Sequence, residues 1–168
     1  MGKYDDEVFL MLTEITIKHL NCVDDYDNIV IECPKKIMSR GIGLYGMFHP
    51  DNEITKYFTY KGRITKNKNK RDYVYHFDVN GRLRLTERYA DDILLDYIFY
   101  YYYENLIEIV WYNIKDKTIN QVGFIEYKNK KISRFVESFH INGLKIFNST
   151  KKYYLILNFY LTQILSSF

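Results

Sequence analysis

The sequence predicts an α+β, mainly β fold: one long, twisted antiparallel meander sheet with helices from the N- and C-terminal segments packed on it. Three observations predict this. From about Glu53 to Phe147, alternating runs are punctuated by the turn sequences "YKGR", "VNGR", "YENL", "IKDK", "YKNK" and "INGL". No helix-length insert separates the runs, as parallel pairing would require. The two flanking segments carry apolar residues at helical spacing instead.

The first segment, "YDDEVFLMLTEITIKHL", opens with acids that suit a helix N-terminus and repeats Val8, Leu12, Ile15 and His19 on one helical face. Its β-branched stretch "TEITIKH" suits a strand equally well, so both readings stay open. In "YHFDVNGRLRL" a three-residue loop, Val79-Asn80-Gly81, pairs Phe77 with Leu83 and Tyr75 with Leu85 and sets Asp78 against Arg82. Gly81 then takes the left-handed position. That register places His76 opposite Arg84 on a polar, solvated face. The same loop type in "YFTYKGRIT" pairs Phe58 with Ile64, whereas "INGL" suits a two-residue loop pairing Ile141 with Leu144 and Phe139 with Ile146.

The aromatic stretch "YIFYYYYENLIEIVWY" forms the central hairpin. With Glu104-Asn105 as a tight turn, Tyr102/Ile107, Tyr100/Ile109 and Ile98/Trp111 share one face. Tyr103/Leu106, Tyr101/Glu108, Phe99/Val110 and Tyr97/Tyr112 share the other. Both faces are apolar enough to need cover. The second, with Glu108 and its phenols, is expected to meet a partner. The tail "STKKYYLILNFYLTQILSSF" offers Ser149 or Thr150 as an N-cap and a stripe of Tyr153, Leu157, Tyr160, Leu161, Ile164 and Phe168, and predicts a helix across the sheet.

A chain of 168 residues, 47% hydrophobic and 18% aromatic, is one domain (residues 1–168) with ample core and no disorder signature. Two cysteines, Cys22 and Cys33, make no disulfide framework, and the acidic start "MGKYDDE" lacks the features of a secretory leader, so a cytoplasmic protein is expected. The most apolar run, Tyr153 to Phe168, spans 16 residues and includes Asn158, Thr162 and Gln163, short of the roughly 20 that a spanning helix requires. Membrane insertion is not expected.

Signatures of chemistry are weak. His19, Cys22, Cys33 and His49 lack the paired-knuckle spacing of structural zinc, so buried, inert thiols are expected and no metal or cofactor. "SRGIGLYG" spells G-x-G-x-x-G at Gly41, Gly43 and Gly46 but sits in no β-α-β unit, which favours a loop or a strand in close backbone contact. No Ser or Cys lies in a nucleophile elbow, and His49, His76 and His140 are scattered, so no enzyme is expected.

Charge is more informative than its net value of +3. Residues 1–32 hold eight acids against Lys3 and Lys18, whereas "KGRITKNKNKR" (61–71) holds six bases and no acid. Lys66, Lys68, Lys70 and Arg71 beside sheet tyrosines suggest a single-stranded nucleic-acid binder, which normally carries a larger positive charge. The acids of "NCVDDYDNIVIE" and "YADDILLDY" are interleaved with tyrosine, a combination suited to a basic protein surface. The expected contacts are Asp24, Asp25, Asp27, Asp91, Asp92 and Glu108, with Tyr26, Tyr97, Tyr101 and Tyr112 as aromatic anchors.

Runs such as "YVYHFDVNGRLRL" and "FIEYKNKKISRFVESF", in a small, aromatic, meander-rich chain with local acidic patches, resemble the immunity proteins of bacterial contact-dependent growth inhibition and related polymorphic toxin systems. The resemblance implies a tight stoichiometric complex with a cognate toxin domain, often a basic nuclease, whose active site is covered. The acids would stand in for substrate phosphates.

Overall fold

The computed structural model describes residues 3–41, 47–50, 62–139, 143–148 and 155–156. Helix α1 (Lys3–Lys18) leads through a 3-10 turn (Cys22–Asp25) into a short helix α2 (Tyr26–Glu32). The strands are β1 (Lys35–Arg40), β2 (Arg63–Thr65), β3 (Tyr73–Phe77), β4 (Leu83–Ala90), β5 (Ile93–Tyr102), β6 (Leu106–Asn113), β7 (Thr118–Lys128), β8 (Lys131–Phe139), β9 (Gly143–Asn148) and β10 (Leu155–Ile156). Among the described residues they form one antiparallel sheet of ten strands in the order β10-β9-β8-β7-β6-β5-β4-β3-β1-β2. From β3 onward this is the expected meander, and β1 closes the other side by pairing with both β3 and β2. No described helix is long and apolar enough to cross a membrane.

The central hairpin pairs as its side-chain alternation predicts, with Tyr102 opposite Ile107, Tyr101 opposite Glu108 and Tyr97 opposite Tyr112. The turn closes through the Tyr103 N–H donating to the Leu106 carbonyl at 2.8 Å. In the β3–β4 hairpin Phe77 does pair with Leu83, Gly81 adopts φ +77°, and Asp78 and Arg82 bond through backbone (3.0 Å) and side chains (2.8 Å). Beyond that point the expected register fails. A bulge at Arg84 sets His76 opposite Leu85 and Tyr75 opposite Thr86. The extra residue transfers Leu85 to the opposite face from Leu83, beside His76, and because the N-terminal layer covers that face His76 is buried at 1% exposure instead of solvated.

One further expectation changes, at the β8–β9 hairpin. Phe139 pairs with Gly143 and Ile146 with Val136, a register that sets Phe135 opposite Phe147 and Glu137 opposite Lys145, matching apolar with apolar and acid with base. Ile64 pairs with Ser39 of β1. Phe58, Ile141 and most of the tail lie outside the described residues, as do residues 42–46 of the glycine-rich motif. Leu155 and Ile156, read from the sequence as helical, form β10 against β9.

The ambiguity of the first segment resolves as helix because its stripe fits the sheet. Val8, Leu12, Ile15 and His19 are all buried, and α1 rests on β6 and β7. With Cys22 and Ile29 they pack on Leu85, Phe99, Val110, Val122, Phe124 and Val136. The opposite face buries Tyr75, Ile98, Tyr100, Ile109, Trp111, Ile125 and Phe135, and Phe48 packs edge-on against Tyr75 and Phe77.

Gly123 marks the tightest point between β7 and β8. A Cβ there would stand 2.7 Å from the Val136 carbonyl oxygen and 3.4 Å from the Glu137 Cα, both backbone atoms with no freedom to withdraw. Gly123→Ala is therefore expected to destabilise the fold by about 1–3 kcal/mol. An unchanged denaturation midpoint would show that the strands separate at no cost.

Candidate functional site

Two buried carboxylates clamp the N-terminal layer to the sheet. Glu108, 6% exposed, accepts from Lys18 Nζ at 3.0 and 3.1 Å, from His19 Nε2 at 2.7 Å and from the Tyr103 hydroxyl at 3.0 Å. The His19 ring stacks on Tyr101 with centroids 3.8 Å apart, and the Tyr101 hydroxyl donates to Asp25 at 3.2 Å. Burial alone would push the Glu108 carboxyl up, but the hydrogen bonds from His19, Lys18 and Tyr103 outweigh it and hold it below the usual range.

The second clamp is Glu87, also 6% exposed. It accepts from Tyr26 and His76 at 2.9 Å each and from Tyr89 at 2.5 Å. Burial again opposes ionisation, and the His76, Tyr89 and Tyr26 hydrogen bonds again prevail, lowering its pKa. Burial and the Glu87 charge in turn hold the Tyr26 hydroxyl well above the usual phenol range. Both clusters join positions far apart in sequence to fasten helix to sheet.

The expected contact residues therefore divide. Asp24, Asp25 and Asp27 are exposed on the 3-10 turn and the first turn of α2. Tyr26 turns inward, its ring 4.6 Å from Tyr97. Tyr97 and Tyr101 are half-buried beneath this layer. Tyr112, at 8%, and Glu108, at 6%, are buried in it. The face expected to meet a partner is thus covered by the chain's own N-terminal helices, because its apolar and aromatic surface is what the stripe of α1 buries. Glu108 and Tyr112 are internal, and Tyr97 and Tyr101 act chiefly as packing.

Asp91 and Asp92 are exposed, but they sit in the β4–β5 turn with φ +49° and +63°. From there to Tyr97 is five residues of extended chain, roughly 16 Å, so they belong to a different part of the surface from Asp24 and Asp25.

No family model, curated protein or solved structure matches the chain.

The basic segment lies apart, with Lys66, Lys68 and Lys70 exposed and Lys68–Lys70 in a 3-10 turn. Arg71 is half-buried, its guanidinium 4.0 Å from the Tyr89 ring centre and bonded to the Lys68 carbonyl. Of the described sheet tyrosines only Tyr89, already covered by Arg71, is placed beside this segment and half-exposed. Tyr73, Tyr75 and Tyr100 are buried, and the exposed Tyr103 carries the Lys18 ammonium over its ring at 4.1 Å.

Cys22 and Cys33 are free and buried. Burial, with Asp25 nearby, pushes the Cys22 thiol up to about 12, and burial also raises Cys33, so neither is a ready nucleophile at neutral pH. Among the described residues no group of three His, Cys, Asp or Glu side chains is placed to hold a metal. Sequence reasoning missed Glu87, Lys18, His19 and Tyr103. Lys18 meets Glu108 across ninety positions of chain, and no local pattern announces such a pair.

Proposed function

We propose that the chain is a stoichiometric protein inhibitor of the immunity type, acting in the cytoplasm on a basic toxin domain such as a nuclease. The observation that carries this reading is the state of the acids on the N-terminal layer. Asp24 and Asp27, with Asp6, Glu14 and Glu32, are exposed and have no ion-pair partner among the described residues. Lys18, the one cation among the described side chains of α1, is held by Glu108, whereas Glu32 lies three and four residues from the exposed Lys35 and Lys36. The layer thus presents uncompensated negative charge on a rigid scaffold, which favours fast capture of a cationic surface. A binding role also accords with the interior, where the histidines His19 and His76 are engaged in clamps and the thiols are suppressed.

The test is to look for a large secreted protein encoded beside this chain's gene and to co-express its C-terminal domain with the chain. Growth is expected to be restored and a one-to-one complex to elute from size exclusion. The absence of such a neighbouring frame, or a neighbour that neither poisons the cell nor binds, would remove the proposal. Retention of a labelled oligonucleotide at low salt, abolished by replacing Lys66, Lys68, Lys70 and Arg71 with Ala, would favour nucleic-acid binding instead.

A further inference from the structure

We propose that the outer face of α1 is the centre of the docking surface, and that the open depression at its C-terminal end receives a lysine or arginine side chain of the partner. This rests on the reading that the partner is a basic protein.

Helix α1 is apolar on two sides. Its inner stripe is buried, yet Phe9 is 66% exposed, Leu10 59%, Ile17 64% and Leu20 60%. Phe9, Thr13 and Ile17 follow one another at intervals of four, Leu10 lies seven before Ile17, and Leu20 continues the line into the turn. Single exposed apolar residues are ordinary, but a row of four large ones left more than half exposed is the mark of an interaction surface.

Its borders say what kind of partner fits. Asp6 and Glu14 lie on the exposed side of the same helix, and Asp24 and Asp25 stand at its C-terminal corner. Lys18 is the only cation among the described side chains of α1, and it is held by Glu108 at 3.0 Å. A second copy meeting this face through a two-fold axis would bring acid-bordered surface against acid-bordered surface. A cationic partner meets no such repulsion, and its charges compensate the rim while its apolar atoms cover the row.

The corner supplies a specific socket. A depression of about 380 Å³ is lined by Ile17, Leu20, Asp24 and Asp25 and also by Lys18 and His19, whose side chains are both drawn to Glu108. Ile17 and Leu20 offer apolar walls for a methylene stem, and the two aspartates offer acceptors for an ammonium or guanidinium head. Deeply seated arginines flanked by apolar contacts are the residues that dominate interface energetics.

Titration calorimetry with the neighbouring toxin domain, its own catalytic residues disabled, tests this on the full chain. The double variant Phe9→Ser, Ile17→Ser is expected to bind about 30-fold or more weakly while melting like the wild type, since both side chains are exposed. Should that variant melt early, Glu14→Arg places a repulsive charge on the same face without touching the core, and it is expected to weaken binding at least about tenfold. If the apolar and Glu14 variants bind normally while Asp24→Lys, Asp25→Lys does not, α1 is not the docking centre, although the inhibitor reading stands. If the wild type does not bind the domain at all, the inhibitor reading fails first. If sedimentation shows a wild-type dimer that the double variant dissociates, the face belongs to a second copy and the inference is overturned.

Discussion

Glu108→Ala is expected to lower the unfolding free energy by about 2–4 kcal/mol, because it strips the shared acceptor from three donors beneath the N-terminal layer. Lys18, whose side chain is 47% exposed, regains water. His19 Nε2 does not, since the ring is 8% exposed and stacked on Tyr101. The penalty therefore falls mainly on the buried imidazole and on the cavity beside Tyr103. Glu108→Gln keeps an acceptor in place and should cost less. The same carboxylate makes the fold sensitive to acid. Its folded pKa lies below its ordinary value of 4.5, so its contribution is complete above pH 4.5 and is lost as pH falls through the folded value. Glu87 and Asp78 are lowered in the same direction, so the wild type should destabilise steadily on acidification below about pH 4.5, and Glu108→Gln should show a shallower loss. Denaturant midpoints measured from pH 7 to pH 3 decide it. Parallel curves for wild type and Glu108→Gln would mean that the carboxyl titrates alike in the folded and unfolded chain, and that its hydrogen bonds do not lower its pKa.

The second large effect concerns association. If the proposed toxin partner is the right one, converting Asp24, Asp25 and Asp27 together to Asn is expected to slow its capture by about 10- to 100-fold at low salt and to flatten the dependence of that rate on ionic strength. The fold should be unaffected, since all three are exposed and an Asn at position 25 can still accept from Tyr101. Stopped-flow association at low and high salt reads this directly. A triple variant with the wild-type rate and salt slope would separate the acids from partner recognition. Asp91→Asn, Asp92→Asn serves as a contrast, since those residues stand on the β4–β5 turn and should influence the rate less.

Where the fold was legible, the reason was local. The register of the β5–β6 hairpin follows from a two-residue turn and a side-chain period of two, and both are written within sixteen consecutive residues. The Asp78–Arg82 closure and the left-handed Gly81 follow equally from one loop. Where it was not, one residue sufficed. The bulge at Arg84 moves Leu85 and Glu87 to the face of His76, and the N-terminal layer covers that face, so a histidine expected in water becomes a buried partner of Glu87. Nothing in "GRLRLTER" distinguishes the residue that will be left over.

The candidate site shows the same division. Uncompensated acids between positions 1 and 32 are visible in the composition alone. That the aromatic face carrying Tyr97, Tyr101 and Tyr112 would be sealed by α1 and α2 is not, because burial is settled between elements, not within them. By itself the sequence determined an antiparallel meander, the strand partners nearest in the chain and the inner stripe of the first helix, all of them consequences of short-range periodicity. Tertiary packing alone decided which aromatic surface is spent inside, which acids are hydrogen-bonded by Lys18, His19 and Tyr26, and which remain exposed. Each of those outcomes depends on how a helical layer settles on strands sixty to ninety residues away in the chain.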